Sequence, residues 1–151
     1  MARFVFKLEG VLKHRLEAER AKQRALAIVR AQLTELESQL RDLDRRAKES
    51  TQDIRSNRLT GVLDMQFLGA HRRFMIAMQR QAMDIVQRMA AVKNKVDVAQ
   101  KELLEAAKQR KVIEKLKERQ FERWRADMNR SEAAQLDEIG TQMGYDNTVH
   151  S

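Results

Sequence analysis

From Leu68 onward, apolar residues return at alternating spacings of three and four. One set of positions reads Leu68, Met75, Ala82, Met89, Val96 and Leu103; the other reads His71, Met78, Ile85, Val92, Ala99 and Ala106. Only His71 is polar. Such a pattern is a helix with a narrow apolar stripe facing a second helix. A chain built this way buries its apolar surface along a seam rather than in a thick core.

The first half carries a matching stripe at Leu26, Val29, Leu33, Leu36, Leu40, Leu43, Ala47 and Ile54. Upstream, Phe4, Leu8, Val11, Ala18 and Ala25 join it only if one four-residue step is inserted near Val29, a stutter that relaxes supercoiling without ending a helix. Arg15 and Lys22 interrupt this upstream run. Between the halves lies SNRLTGVLDM, where Asn57, Thr60 and Gly61 supply turn chemistry and Asp64 can cap the following helix. Gly61 can take positive φ at little steric cost.

Folding back about Gly61 pairs Ile54 with Leu68, Leu33 with Met89 and Leu26 with Val96. The same register sets Phe4 and Leu8 beside Lys117 and Ile113, and leaves Phe121, Trp124 and Met128 without a partner in the first arm. The expected fold class is all-α: a long two-helix antiparallel coiled-coil hairpin with an overhanging C-terminal helix. Its expected limits are one coiled coil over 1–140, with helix 1 about 3–56, a turn about 57–63 and helix 2 about 64–140. The glycine-bearing 141–151 is expected to be a disordered tail.

Composition agrees. Charged residues make up 34% of the chain and aromatics 5%, with no proline and five glycines, so there are few places to turn. A net charge of +8 and a pI near 10.1 favour acidic partners. The cations are interleaved with Glu and Asp, which is the habit of a solvated helix face. Positive charge is the whole case for nucleic acid, so no specific nucleic-acid partner is expected. There is no cysteine, and no apolar run approaches the roughly 20 residues of a membrane span. The opening MARFVFKLEGVLKHRLEAER is broken by charge too early for a secretory signal. A cytosolic protein without a transmembrane segment is expected.

Chemistry is sparse. His14, His71 and His150 are far apart and lack partners at ligand spacing, so no metal site is expected. No phosphate loop, nucleophile elbow or acid–base pair appears. The expectation is a protein that is not an enzyme and needs no cofactor. His71 reads as a polar register-setting residue or a solvent-facing one near the tip, and Met75, Met78, Met83 and Met89 as adaptable packing. Leu59, Val62, Leu63, Met65, Phe67 and Phe74 make the tip apolar enough for a binding surface or a small capping core.

The segment RKVIEKLKER, with Arg110, Lys111, Glu114, Lys115, Leu116, Lys117 and Arg119, resembles the signature of the FliJ family of flagellar export proteins. SEAAQLDEI, with Glu132, Leu136, Asp137, Glu138 and Ile139, is similar to that family's acidic ending. FVFKLEGVLKHRLEAE, with Phe6, Leu8, Val11, Leu12, Arg15 and Glu19, looks like its opening.

The resemblance implies a non-catalytic stalk of the flagellar type III export apparatus, acting at the cytoplasmic face of the inner membrane. Its implied partners are a hexameric flagellar export ATPase, the export gate membrane protein and export chaperones. The implied ATPase-facing residues are Phe6, Leu8, Arg15, Arg110, Lys111, Lys115, Leu116 and Arg119. The implied gate-facing residues are Phe67, His71, Phe74 and Met78. Two other readings stay open: the equivalent stalk of a virulence secretion system, and a basic coiled coil that binds nucleic acid or anionic membrane.

Overall fold

In the computed structural model, which describes residues 2–58 and 65–149, two helices carry almost all of the chain. α1 spans Glu9–Arg58 and α2 spans Met65–Val149. No strand occurs among the described residues. The fold is an all-α hairpin of two long helices that pack against each other, as the heptads require. The reversal itself, with Thr60, Gly61, Asp64 and the tip residues Leu59, Val62 and Leu63, lies outside the described residues, as does His150.

The described residues form two compact units: a central one over 20–105, and a terminal one that joins 1–19 to 106–151. In the central unit every seam position named for α2 is buried or half-buried, from Leu68 through Leu103, with Ile85 and Ala99 the most enclosed. On α1 the same holds for Leu26, Val29, Leu33, Leu36, Leu40, Leu43, Ala47 and Ile54. Two cross-helix contacts show the antiparallel sense: Lys22 Nζ sits 3.0 Å from Glu102 Oε2, and Ser50 Oγ lies 2.8 Å from His71 Nδ1. His71 is thus a seam residue with a polar partner across the interface.

Lys22 is half-buried, whereas Ala25 is exposed. Spaced back from Leu26 by the same alternation of four and three, the positions are Lys22, Glu19, Arg15 and Leu12. All four are buried or half-buried, while Leu8 and Val11 are exposed. No stutter is needed near Val29. The residues expected to interrupt the stripe occupy it, because long cationic side chains can lay their alkyl stems along an apolar surface and keep the charge at the edge.

In the terminal unit the chain is not helical until Glu9. Residues 2–6 are irregular and Lys7 and Leu8 form a turn, closed by a bond from the Glu9 amide to the Phe6 carbonyl at 3.2 Å. Glu9 places a carboxylate in the first turn of α1, where the helix dipole favours it. Phe4 and Leu8 were expected on a helix beside Lys117 and Ile113. Instead, Phe6 is buried under Lys117 and Phe4 reaches further along α2. At the far end α2 continues through Thr141 and Gly144 to Val149, and every residue over 131–149 is exposed.

Candidate interaction surface

The terminal unit gathers the opening of the chain and the RKVIEKLKER segment into one place. Four contacts between the opening of the chain and α2 do this. Glu9 Oε2 meets Lys117 Nζ at 2.9 Å. Lys117 Nζ also lies 6.0 Å from the centre of the Phe6 ring, at the limit of a cation–π contact. Arg15 donates to Gln109 Oε1 at 2.5 Å. Glu19 pairs with Arg110, whose guanidinium also meets Glu114 Oε2 at 2.6 Å.

The Arg110–Glu19 pair is the most enclosed of these, with side chains 19% and 13% exposed. Hydrogen bonding, first to Glu114 and then to Glu19, raises the Arg110 pKa above its already high ordinary value. The guanidinium is therefore a permanent charge with both of its acidic neighbours in place, which suits the fork geometry of arginine. It fixes the two helices to each other.

An aromatic cluster completes the unit. Phe4 meets Phe121 edge-on with centroids 5.3 Å apart and lies 5.8 Å from Trp124, and Phe121 stacks on Trp124 at 5.9 Å. Phe121 and Trp124 were expected to have no partner from the first part of the chain; Phe4 is that partner. An extended segment covers more length per residue than a helix, which lets Phe4 reach α2 beyond the point a helical start allows. The alternation Phe4-Val5-Phe6, with Val5 exposed between its neighbours, was the available signal.

The candidate ATPase-facing residues divide into two groups. Phe6, Arg15, Arg110 and Leu116 are buried or half-buried, the two arginines within cross-helix contacts. Lys111, Lys115 and Arg119 are exposed, follow one another at helical spacing, and make no ion pair among the described residues; Leu8, in the opening of the chain, is also exposed. Lys108 and Arg123 have the same character on the same helix. The outward cations are the ones an acidic partner can meet without dismantling the hairpin.

The candidate gate-facing residues lie in the central unit. Phe67 is exposed, His71 is held by Ser50, and Phe74 and Met78 are half-buried. Met78 and Met75 line a shallow groove of about 450 Å³ with Leu40, Leu43, Ala47 and Ala82. The groove exists because two alanines face each other's helices where larger residues would fill the seam. Among the described residues no cluster of three His, Asp or Glu is placed to hold a metal ion, and no helix is long and apolar enough to cross a membrane.

Comparison with known families gives a match over nearly the whole chain. A family described as Flagellar FliJ protein aligns with residues 4–148. No curated protein and no solved structure matches the chain at a significant level. The match covers both helices as well as the opening Phe4–Leu8 segment and the exposed tail helix, so the resemblance of the two ends extends across the whole fold. The chain belongs to the FliJ family of flagellar proteins.

Proposed function

We propose that this FliJ-family chain is a non-catalytic stalk that binds the hexameric flagellar export ATPase through its terminal unit and promotes its activity. Family membership makes it a protein associated with flagellar type III export; the stalk role is the finer reading. The observation that carries it is the division of labour among the cations. Arg15 and Arg110 bind the opening of the chain to α2, so that Lys111, Lys115 and Arg119 stand outward on a helix braced from behind. A row of fixed outward charges aids encounter and orientation with an acidic ring lining more than it adds raw affinity.

In this reading the central unit serves the export gate and the chaperones, at the cytoplasmic face of the membrane. Phe67 is the member of the gate set most open to a partner, and His71 acts by holding the register through Ser50.

The test compares two kinds of charge reversal. Lys111→Glu with Lys115→Glu leaves the fold intact and abolishes stimulation of the ATPase rate. Arg110→Glu lowers thermal stability because it sets a third carboxylate against Glu19 and Glu114. Unchanged stimulation by the Lys111/Lys115 variant would overturn the proposal.

A further inference from the structure

The tail helix is the least explained part of the molecule. Over 131–149 it has four acidic residues and no Lys or Arg, while 108–125 has eight Lys or Arg against three Glu. Leu136 is 69% exposed and Met143 66%, with Ile139 exposed between them. These three continue one outward stripe of α2 at spacings of three and four: Lys108, Lys111, Lys115, Glu118, Glu122, Arg125, Asn129, Glu132, Leu136, Ile139, Met143. Every member is exposed. One helix face therefore begins with three lysines and ends with Glu132 and three apolar residues, all within the terminal unit.

A lone helix of this length is marginal in water, and Gly140 and Gly144 each cost roughly 1 kcal/mol relative to alanine. Neither glycine has a neighbour within reach of an added Cβ, so no close packing in the chain demands them. The tail gains from a partner that is basic and offers apolar stems. The first half of the same stripe has that chemistry, with lysine stems flanking Val112, itself 65% exposed.

We propose that two copies of this chain pair antiparallel along this stripe, each acidic tail lying on the basic segment of the other. The register that keeps the heptad sets Lys108 opposite Ile139, Lys111 opposite Leu136, Lys115 opposite Glu132 and Glu122 opposite Arg125. Two-fold symmetry makes every contact twice, and an antiparallel sense is the one that brings opposite charges together. The contact is self-complementary and closes at two copies. Its ion pairs, Lys115–Glu132 and Glu122–Arg125, are solvent-exposed, and the other two lysines offer only their stems to Leu136 and Ile139, so it is weak and salt-sensitive. It also covers Lys111 and Lys115, which on the reading above are used by the ATPase, so pairing and ATPase binding exclude each other.

The absence of native cysteine makes the test direct. Two differently tagged full-length copies, one with Lys111→Cys and one with Leu136→Cys, are mixed and mildly oxidised. A disulfide joining the two tags is expected at about 50 mM salt and is expected to fall severalfold at about 500 mM, where the screening length shrinks by roughly a factor of three. Glu122→Cys mixed with Arg125→Cys checks the register independently. Ile139→Lys, on an exposed position of an unpacked helix, sets a second cation against Lys108 and abolishes the cross-link without changing helix content. No inter-copy disulfide in either cysteine pair, or a chain that sediments as a monomer at about 100 µM in low salt, would overturn the pairing. Added cognate ATPase reduces the cross-link of the Glu122→Cys and Arg125→Cys pair, in which Lys111 and Lys115 are intact; a cross-link that resists it, with pairing otherwise intact, would count against the ATPase reading alone.

Discussion

The central and terminal units are built on the same heptad yet held together by different means. Between residues 20 and 105 the seam is mainly leucine, valine, methionine and alanine, with the polar contacts Lys22–Glu102 and Ser50–His71 across it. In the terminal unit the seam positions of α1 are Leu12, Arg15 and Glu19, and those of α2 include Arg110 and Lys117. There charges pair across the seam, and rings from outside α1 add to the apolar burial of Leu12. The difference teaches that one geometric repeat can carry either bulk stability or a specified alignment. Apolar side chains give the first without much regard to register, whereas paired charges penalise every misalignment.

Substitutions can break this contrast. The largest effect is expected from Leu43→Ala in the central unit, where the side chain is 7% exposed: about 2–3 kcal/mol, read as a lower midpoint in urea. If that loss proved smaller than those of the terminal substitutions, the central seam would not be the main source of stability. Next comes Phe4→Ala, which removes the edge contact to Phe121 and the tilted contact to Trp124 and costs about 1–2 kcal/mol in the same titration.

Glu19→Gln is expected to lower the midpoint by less than the Phe4 change, because Arg110 keeps Glu114. The loss should be smaller still when combined with Arg110→Met, and a double-mutant cycle measures the coupling. Additive losses would mean that the charges do not specify the alignment. The smallest effect concerns α1 in the central unit. Asp42 is held below its ordinary carboxylate value, first by the hydrogen bond from Arg45 at 2.6 Å. A depressed folded pKa stabilises above the unfolded value near 4 and is lost as pH falls through the folded one. Asp42→Asn should therefore slightly flatten the decline of the thermal midpoint on acidification to pH 3 and leave the midpoint near pH 7 only marginally lower.

The same contrast explains what could be read from sequence. Leu68 through Ala106 announced the hairpin because hydrophobic periodicity and burial coincide there. Arg15 and Lys22 looked like breaks because a count of apolar residues cannot register a cation whose partner lies far along the chain, as Gln109 and Glu102 do. The unbroken spacing from Leu26 back to Leu12 was present in the sequence all along. The start of α1 was misplaced for another reason: FVFKLEGV has enough apolar residues to pass for a helical turn, and the contact that holds Phe4 in an extended segment is made with residues on the other helix. Among the candidate binding residues, spacing grouped Arg110 with Lys111. Only the packing shows that one faces inward to Glu19 and the other outward.

Trp124 is the sole tryptophan in the chain, and it lies against Phe4 and Phe121 in the terminal unit. Indole emission consequently watches that unit and is blind to the seam around Leu43, whereas far-ultraviolet dichroism averages over both helices. Superimposable melts by the two methods would mean a single cooperative transition. An emission change that precedes the dichroism would identify the aromatic clasp as the part that opens first.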